Sequence, residues 1–281
     1  MGQLAADLLI ATLGLEPAGT VLSPTALPVA GLGATGGGGG SGNSDGEGFL
    51  ERLSTELELF SLPSSSSSSS SDSFLLLQQR ASDAPGASRA AAKALGAWAK
   101  SCGIERILVL ASVDAADRTD AALSSSPFSG PKTLAFLSAG GGALGGMIAR
   151  AEACGVSPLP SDDDEGGEGK TSSSHETGLP HRSERRLPPW PLLAVSKDDS
   201  AAPATLALLS YATEGDNAAD AVSLAAAAAS VLGVKVSEES SSSSKTAAVV
   251  PQKGTISIAG PWRAPAAWAA AYGGRAVPVE M

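Results

Sequence analysis

The stretch LALLSYATEGDNAADAVSLAAAAASVLG (residues 206–233) decides how the chain is read. Its first part is a continuous apolar run, as a buried strand would be. Its second part has a helical period, with Ala221, Leu224, Ala228 and Val231 on one face and Asp220, Ser223 and Ser230 on the other. Between them lie Glu214, Gly215, Asp216 and Asn217. Clustered carboxylates could hold a hard cation or supply an acid and base pair. The simpler reading is a joint between strand and helix. Asn217 as N-cap with Asp220 three residues on resembles a capping box, early carboxylates favour the helix dipole, and Gly215 permits the tight turn.

The same alternation extends outward. Residues 3–13 predict a helix whose polar positions, Gln3, Asp7 and the following Gly14, share one narrow stripe, so the helix is expected to be largely covered by its neighbours. ELELFSL (56–62) and FLLLQQ (74–79) predict a strand hairpin with the serine tract as its enlarged loop. A helix is expected from Ser88, as N-cap, to Gly103, presenting Ala91, Leu95, Trp98 and Cys102 on one face. RILVLAS (106–112) reads as a strand from the interior of a sheet covered on both faces. TLAFLS (133–138) and TLALLSYA (205–212) are further strands, each with a helix after it. The pattern predicts an α/β layered domain with a mostly parallel or mixed sheet.

Four segments at 31–48, 64–73, 157–190 and 237–246 are rich in Gly, in Ser, or in acidic and polar residues. They bury too little apolar surface to offset the entropy of ordering, and are expected to be disordered insertions in one domain spanning 1–281. The 281 residues carry 19 Lys and Arg against 29 Asp and Glu, a net charge of −10. An acidic chain without a basic stripe argues against a nucleic-acid partner. The basic cluster HRSERR (181–186) follows an acidic run and reads as a solvated linker.

Cys102 and Cys154 are too few for a disulfide framework, which favours a reducing interior with both thiols in or near the core. The N-terminus lacks a basic n-region and is interrupted by Asp7, unlike a secretory signal. Ala6 stands where a myristoylation signal has Ser or Thr. With no uncharged span of bilayer length, a soluble intracellular protein and no membrane partner are expected.

Little else could carry chemistry. Gly140, Gly142 and Gly145 fit G-x-G-x-x-G between a strand and a helix, as a dinucleotide site requires. Against it, no second strand is expected in the next thirty residues, and Asp162, the acid nearest the expected place, begins an acidic run. His175 and His181 both lie in the polar insertion, so neither a catalytic triad nor a structural zinc site assembles. No cofactor is expected. Trp262, Trp268 and Tyr272 cluster around Pro265. They are either a terminal helix packing its rings on the core or an aromatic anchor at an interface.

Several of these segments resemble the proteasome assembly chaperone 2 family. GQLAADLLIATL (2–13), with Gly2, Gln3 and Asp7, resembles that family's Gly-Gln-Leu-Ala-x-Asp-Leu-Leu helix. LELFSLP (57–63) followed by LLLQQRA resembles its hairpin. WAKSCGIERILVLAS and RTDAALSSSPF (118–128) resemble its helix, strand and following loop. LLSYATEGDNAADAVSL is the most specific match, and WRAPAAWAAAYGG resembles the closing Trp-x-x-Pro-x-x-Trp segment.

The resemblance implies a non-enzymatic chaperone of the cytoplasm and nucleus. It implies a heterodimer with proteasome assembly chaperone 1 that binds 20S proteasome α-subunits, favours correct α-rings and opposes off-pathway α-ring dimers. It also implies a three-layer α/β sandwich related in shape to nucleoside phosphorylases. The helix after Asn217 and the terminal aromatic segment are the expected partner surface. The alternative is a nucleotide-binding or phosphorylase-like enzyme using Gly140 to Gly145. The family begins with a buried strand leading into Gly-Asn-x-Gly, whereas this chain opens at Met1-Gly2-Gln3, so that strand is expected to be missing through a truncated or misannotated start. The closing VPVEM lacks the hydrophobic-Tyr-x tail of some chaperones of this class, so tail insertion would fall to the partner.

Overall fold

The structure, a computed structural model, describes residues 1–32, 53–63, 74–115, 134–159, 189–236, 261–265 and Trp268. They fall into two compact units. One comprises Gln3–Ser82 and Lys235–Met281, the other Met1–Gly2 and Asp83–Val234.

Helix α1 (Gly2–Leu13) belongs to the first unit from Gln3 onward, and six successive residues, 5–10, are buried. That is the covered helix the narrow polar stripe predicts. It ends at Gly14, whose φ of 61° places Leu15 N–H on the Ile10 carbonyl at 3.0 Å and closes the last turn. Strand β1 (Glu16–Thr20) follows, then the short β2 (Gly31–Leu32) and β3 (Leu53–Ser54), which pair with each other. Next come β4 (Leu57–Ser61) and β5 (Leu75–Gln79). The sheet order is β1-β4-β5, antiparallel throughout. The predicted hairpin is present, with Leu57 opposite Gln79 and Ser61 opposite Leu75. Strand β1 has no apolar run and all five residues are exposed. Its sequence, EPAGT, suits an edge: Pro17 needs no ladder donor, and the register shifts between Pro17 and Gly19. Ile10, Leu15 and Phe60 form the core, with Leu13, Phe74 and Leu76 against them.

The second unit runs α2 (Ser88–Ser101), β6 (Arg106–Asp114), β7 (Leu134–Ala139), a 3-10 turn (Gly141–Leu144), α3 (Gly145–Ala153), β8 (Ser157–Pro158), α4 (Pro189–Asp198), β9 (Ala204–Ala212) and α5 (Ala218–Leu232). Its mixed sheet has the order β6-β9-β7-β8. Strand β9 is parallel to β6 and antiparallel to β7, and β7 is parallel to β8. Residues 204–210 of β9 are all buried. Side chains alternate across it. Ala207 and Leu209 meet Trp190 and Leu193 of α4 on one face, and α5 packs on the sheet as well. This is an α/β fold with a mixed sheet and helical layers.

Several expectations are corrected. RILVLAS, expected inside the sheet, forms a strand at one end of the described sheet, and only Ala111 and Val113 of β6 are buried. Edge and centre are set by pairing, and helical cover gives both strands the same apolar composition. The face of α2 is displaced by one position. Ala92, Gly96 and Ala99 are buried, and the first helical residue is Ser88 itself, with Ala87 at the N-cap and no side-chain cap bond. A Cβ on Gly96 would lie 3.5 Å from Val195 Cγ1 of α4, an ordinary contact distance, so the packing of α2 on α4 does not itself require glycine there. Cys102 is exposed, not in or near the core as expected, while Cys154 is half-buried.

The polar insertion is also shorter than 157–190. Ser157 and Pro158 pair with Ala135 and Phe136 of β7, and Leu159 N–H bonds to the Phe136 carbonyl at 2.9 Å. At the other end, Pro189 opens α4 with Trp190 buried beside it. Two residues, one a proline, carry no periodicity, so β8 has no sequence signal. Gly31 and Leu32 of the first expected insertion are paired in β2. The rest of the four insertions, and residues 118–128, lie outside the described residues. Among the described residues no helix is long and apolar enough to cross a membrane.

Candidate functional site

The acidic turn joins β9 to α5 in the second unit. Gly215 has a φ of 129°, reachable without strain only by glycine. It turns the chain so that Asp216 Oδ1 accepts the N–H of Ala218 at 3.0 Å. Asn217 occupies the N-cap position, yet its side-chain amide folds back to donate to the Thr213 carbonyl at 3.0 Å and the Gly215 carbonyl at 3.1 Å. The expected capping box between Asn217 and Asp220 is thus replaced: Asp216 caps the helix, and Asn217 staples the turn. Glu214 and Asp216 are exposed, whereas Asp220 is half-buried. Burial pushes the Asp220 carboxyl above its ordinary value.

The turn therefore does structural work at the start of α5. At the far end Gly233 adopts φ 74°, and Arg150 Nε of α3 donates to the Val231 carbonyl at 2.7 Å. A cation at a helix C-terminus satisfies an orphan carbonyl and the dipole together. Among the described residues no group of three or more His, Cys, Asp and Glu is placed to hold a metal.

The glycine loop has a structural explanation of its own. Gly140 has φ 105°, and a Cβ there would sit 2.8 Å from both Cα and Cβ of Ala204. Only glycine allows β7 to pass β9 this closely as it leaves the sheet. Gly142 and Gly145 have open space around them. The second strand thought missing after this loop does exist, as β8, so β7, α3 and β8 form a short parallel crossover.

In the first unit the family-motif residues converge on Asp7, which is only 4 % exposed. Gln78 Nε2 and an Arg80 terminal nitrogen each donate to Asp7 Oδ1 at 2.7 Å, and the Trp268 indole N–H donates to Oδ2 at 3.2 Å. One carboxylate thus ties together α1, the end of β5 and the terminal aromatic segment. A buried charge is tolerable when a counter-ion and hydrogen-bond donors surround it, as here. Gln3, exposed, adds a bond from Nε2 to the Gln79 carbonyl at 2.9 Å. Thr12 Oγ1 accepts the backbone N–H of Arg263 at 3.0 Å, and Trp268 N–H closes a turn on the Pro265 carbonyl at 3.0 Å.

Trp262, Pro265 and Trp268 are all buried within the chain. Tyr272 lies outside the described residues, as do His175, His181 and Asp162. Gln78, Arg80 and Thr12 were missed by reasoning from sequence. The available signal was Asp7 itself: a carboxylate in a helix covered all round must find a cation and donors somewhere. In the second unit Gly2 lies so close to β6 that a Cβ would fall on the Leu110 carbonyl oxygen.

A family model, that of the PAC2 family, matches residues 1–231. Proteasome assembly chaperone 2 of Homo sapiens is 31 % identical over 128 residues, 46 % of this chain and 43 % of that protein. The protein of the same name from Mus musculus is 32 % identical over the same shares. The matched stretch thus spans less than half the length of these curated relatives. A crystal structure of a protein with unknown function from Thermoplasma acidophilum superposes with a TM-score of 0.52 at 12 % identity, covering 84 % of this chain and 72 % of that one, and shows the fold alone. The chain belongs to the PAC2 family.

Proposed function

We propose that this protein is a proteasome assembly chaperone subunit that acts by binding and not by catalysis. The observation that carries the reading is the family match over 1–231, joined to two vertebrate relatives whose name is proteasome assembly chaperone 2. In this reading it pairs with proteasome assembly chaperone 1, and the heterodimer binds 20S proteasome α-subunits and promotes their assembly into α-rings. It works in the cytoplasm and nucleus, its two compact units serving as one chaperone domain of nucleoside-phosphorylase-like, three-layer form.

The geometry of the polar clusters supports a binding role. Asp216 and Asn217 spend their hydrogen bonds on the turn and on the start of α5, and Asp7 spends its own on Gln78, Arg80 and Trp268. Gly140 is accounted for by Ala204. The acidic turn is in this reading scaffold for α5 and not a reaction centre. Co-expression with proteasome assembly chaperone 1, followed by size-exclusion chromatography with light scattering, tests the pairing. A one-to-one heterodimer is expected. Two separate, folded monomers at micromolar concentration would refute it.

A further inference from the structure

Two of the side chains that serve Asp7 each leave one buried polar atom unused. Gln78 is 1 % exposed; its Nε2 donates to Asp7 Oδ1 at 2.7 Å and to the Gln3 carbonyl at 3.4 Å, while its Oε1 has no hydrogen-bond partner. Arg80 gives a terminal nitrogen to the same Oδ1 at 2.7 Å, and its Nε, also buried, has no partner either. All of these residues belong to one unit. We propose that a single buried water links the two atoms, accepting from Arg80 Nε–H and donating to Gln78 Oε1.

The orientation of Gln78 is fixed by its neighbours. Turning the amide over would set Oε1 against the Asp7 carboxylate and the Gln3 carbonyl, acceptors with no proton among them, so Oε1 stays on the side away from Asp7. Arg80 cannot relieve its own Nε, because a guanidinium keeps all its protons. Native folds rarely leave such groups dry, and buried waters are held by otherwise unpaired polar atoms. The two atoms share one neighbourhood. Arg80 continues the ladder of β5, its N–H on the Glu56 carbonyl at 2.9 Å, so it leaves the same face of the sheet as Gln78 two residues earlier. Both head groups meet at Oδ1, and Oε1 and Nε each lie two bonds behind the nitrogen that touches it. One atom needs a donor and the other an acceptor. Water is both, whereas an ion of either sign would serve only one of them. Through this water Arg80 holds Asp7 with one arm and Gln78 with the other, a double role that the fixed fork of arginine permits and the single ammonium of lysine does not.

Diffraction from crystals of the full chain, at a resolution that shows ordered water, tests this directly. One water is expected within about 3.2 Å of both Arg80 Nε and Gln78 Oε1. Oxygen-17 magnetic relaxation dispersion, which counts waters held longer than the molecule takes to tumble, gives a reading in solution. Arg80→Lys, which keeps the charge beside Asp7 and loses the Nε donor, is expected to lose one such water relative to the wild type. A map in which no water touches both atoms, or in which protein groups bond to them instead, would overturn the proposal. So would an unchanged count of long-lived waters in a folded Arg80→Lys chain. Should that variant fail to fold, the wild-type map alone decides.

Discussion

The indole N–H of Trp268 lies 3.2 Å from the carboxylate of Asp7, 261 positions earlier in the chain, and it shares that carboxylate with Arg80 and Gln78. Removing the carboxylate would leave the largely buried Arg80 without its counter-ion. Asp7→Ala is therefore expected to lower stability by about 3 kcal/mol, the range seen when one member of a buried ion pair is deleted. Asp7→Asn, which keeps one acceptor oxygen, should cost about half of that. Urea titration of the two variants reads both values, and an Asp7→Ala loss of under ~0.5 kcal/mol would contradict the node.

Gly140 and Gly142 separate a packing role from a ligand role. At Gly140 a methyl group meets Ala204 at 2.8 Å with φ at 105°, whereas at Gly142 nothing lies within 4 Å. Gly140→Ala should destabilise the chain by roughly 1–3 kcal/mol, and Gly142→Ala should be neutral or slightly stabilising. Titration calorimetry with nucleotides should show no saturable heat. Binding that Gly142→Asp abolishes would instead favour a nucleotide site.

The turn at 214–217 makes a sharper distinction than its charge suggests. Asp216 holds the Ala218 N–H, so Asp216→Ala should cost about 1 kcal/mol, as loss of a helix cap does. Glu214→Ala, at an exposed position, should change stability by less than ~0.5 kcal/mol. Thermal melts of the two variants are enough. Equal effects would mean that the capping geometry is wrong.

Asp220 gives a pH signature. Its carboxyl is raised above the ordinary value by burial in the first turn of α5, so the folded chain holds the proton more tightly than the unfolded one. That preference favours folding below the unfolded value and is lost as pH rises through the raised folded value. Above it, the wild type carries a desolvated charge that Asp220→Asn lacks. The variant is expected to melt higher than wild type at pH 7, and the two should converge near pH 3. A variant that melts lower at pH 7 would show that the charge is favourable where it sits.

Much of the architecture was legible because periodicity reports burial. The run at 204–212 is continuous because β9 has neighbours on both sides and helices above and below, and the covered helix at 2–13 and the 57–79 hairpin follow from the same physics. Illegible parts depend on long-range geometry. Strand β1 has no buried residue to leave a pattern, β8 is two residues long, and the displaced face of α2 is set by its packing against α4. Around the site, the turn was readable as scaffold, but which side chain caps depended on the φ of Gly215. That Asp7 is paired follows from burial, while Arg80 and Trp268 as its partners follow only from the fold.

The most direct test of a binding role is recovery of the tagged full chain from cells that contain proteasomes, followed by identification of co-purifying proteins. The account predicts 20S α-subunits in the eluate, undiminished when Glu214 is changed to Ala. A folded, soluble chain that returns without any α-subunit would contradict it.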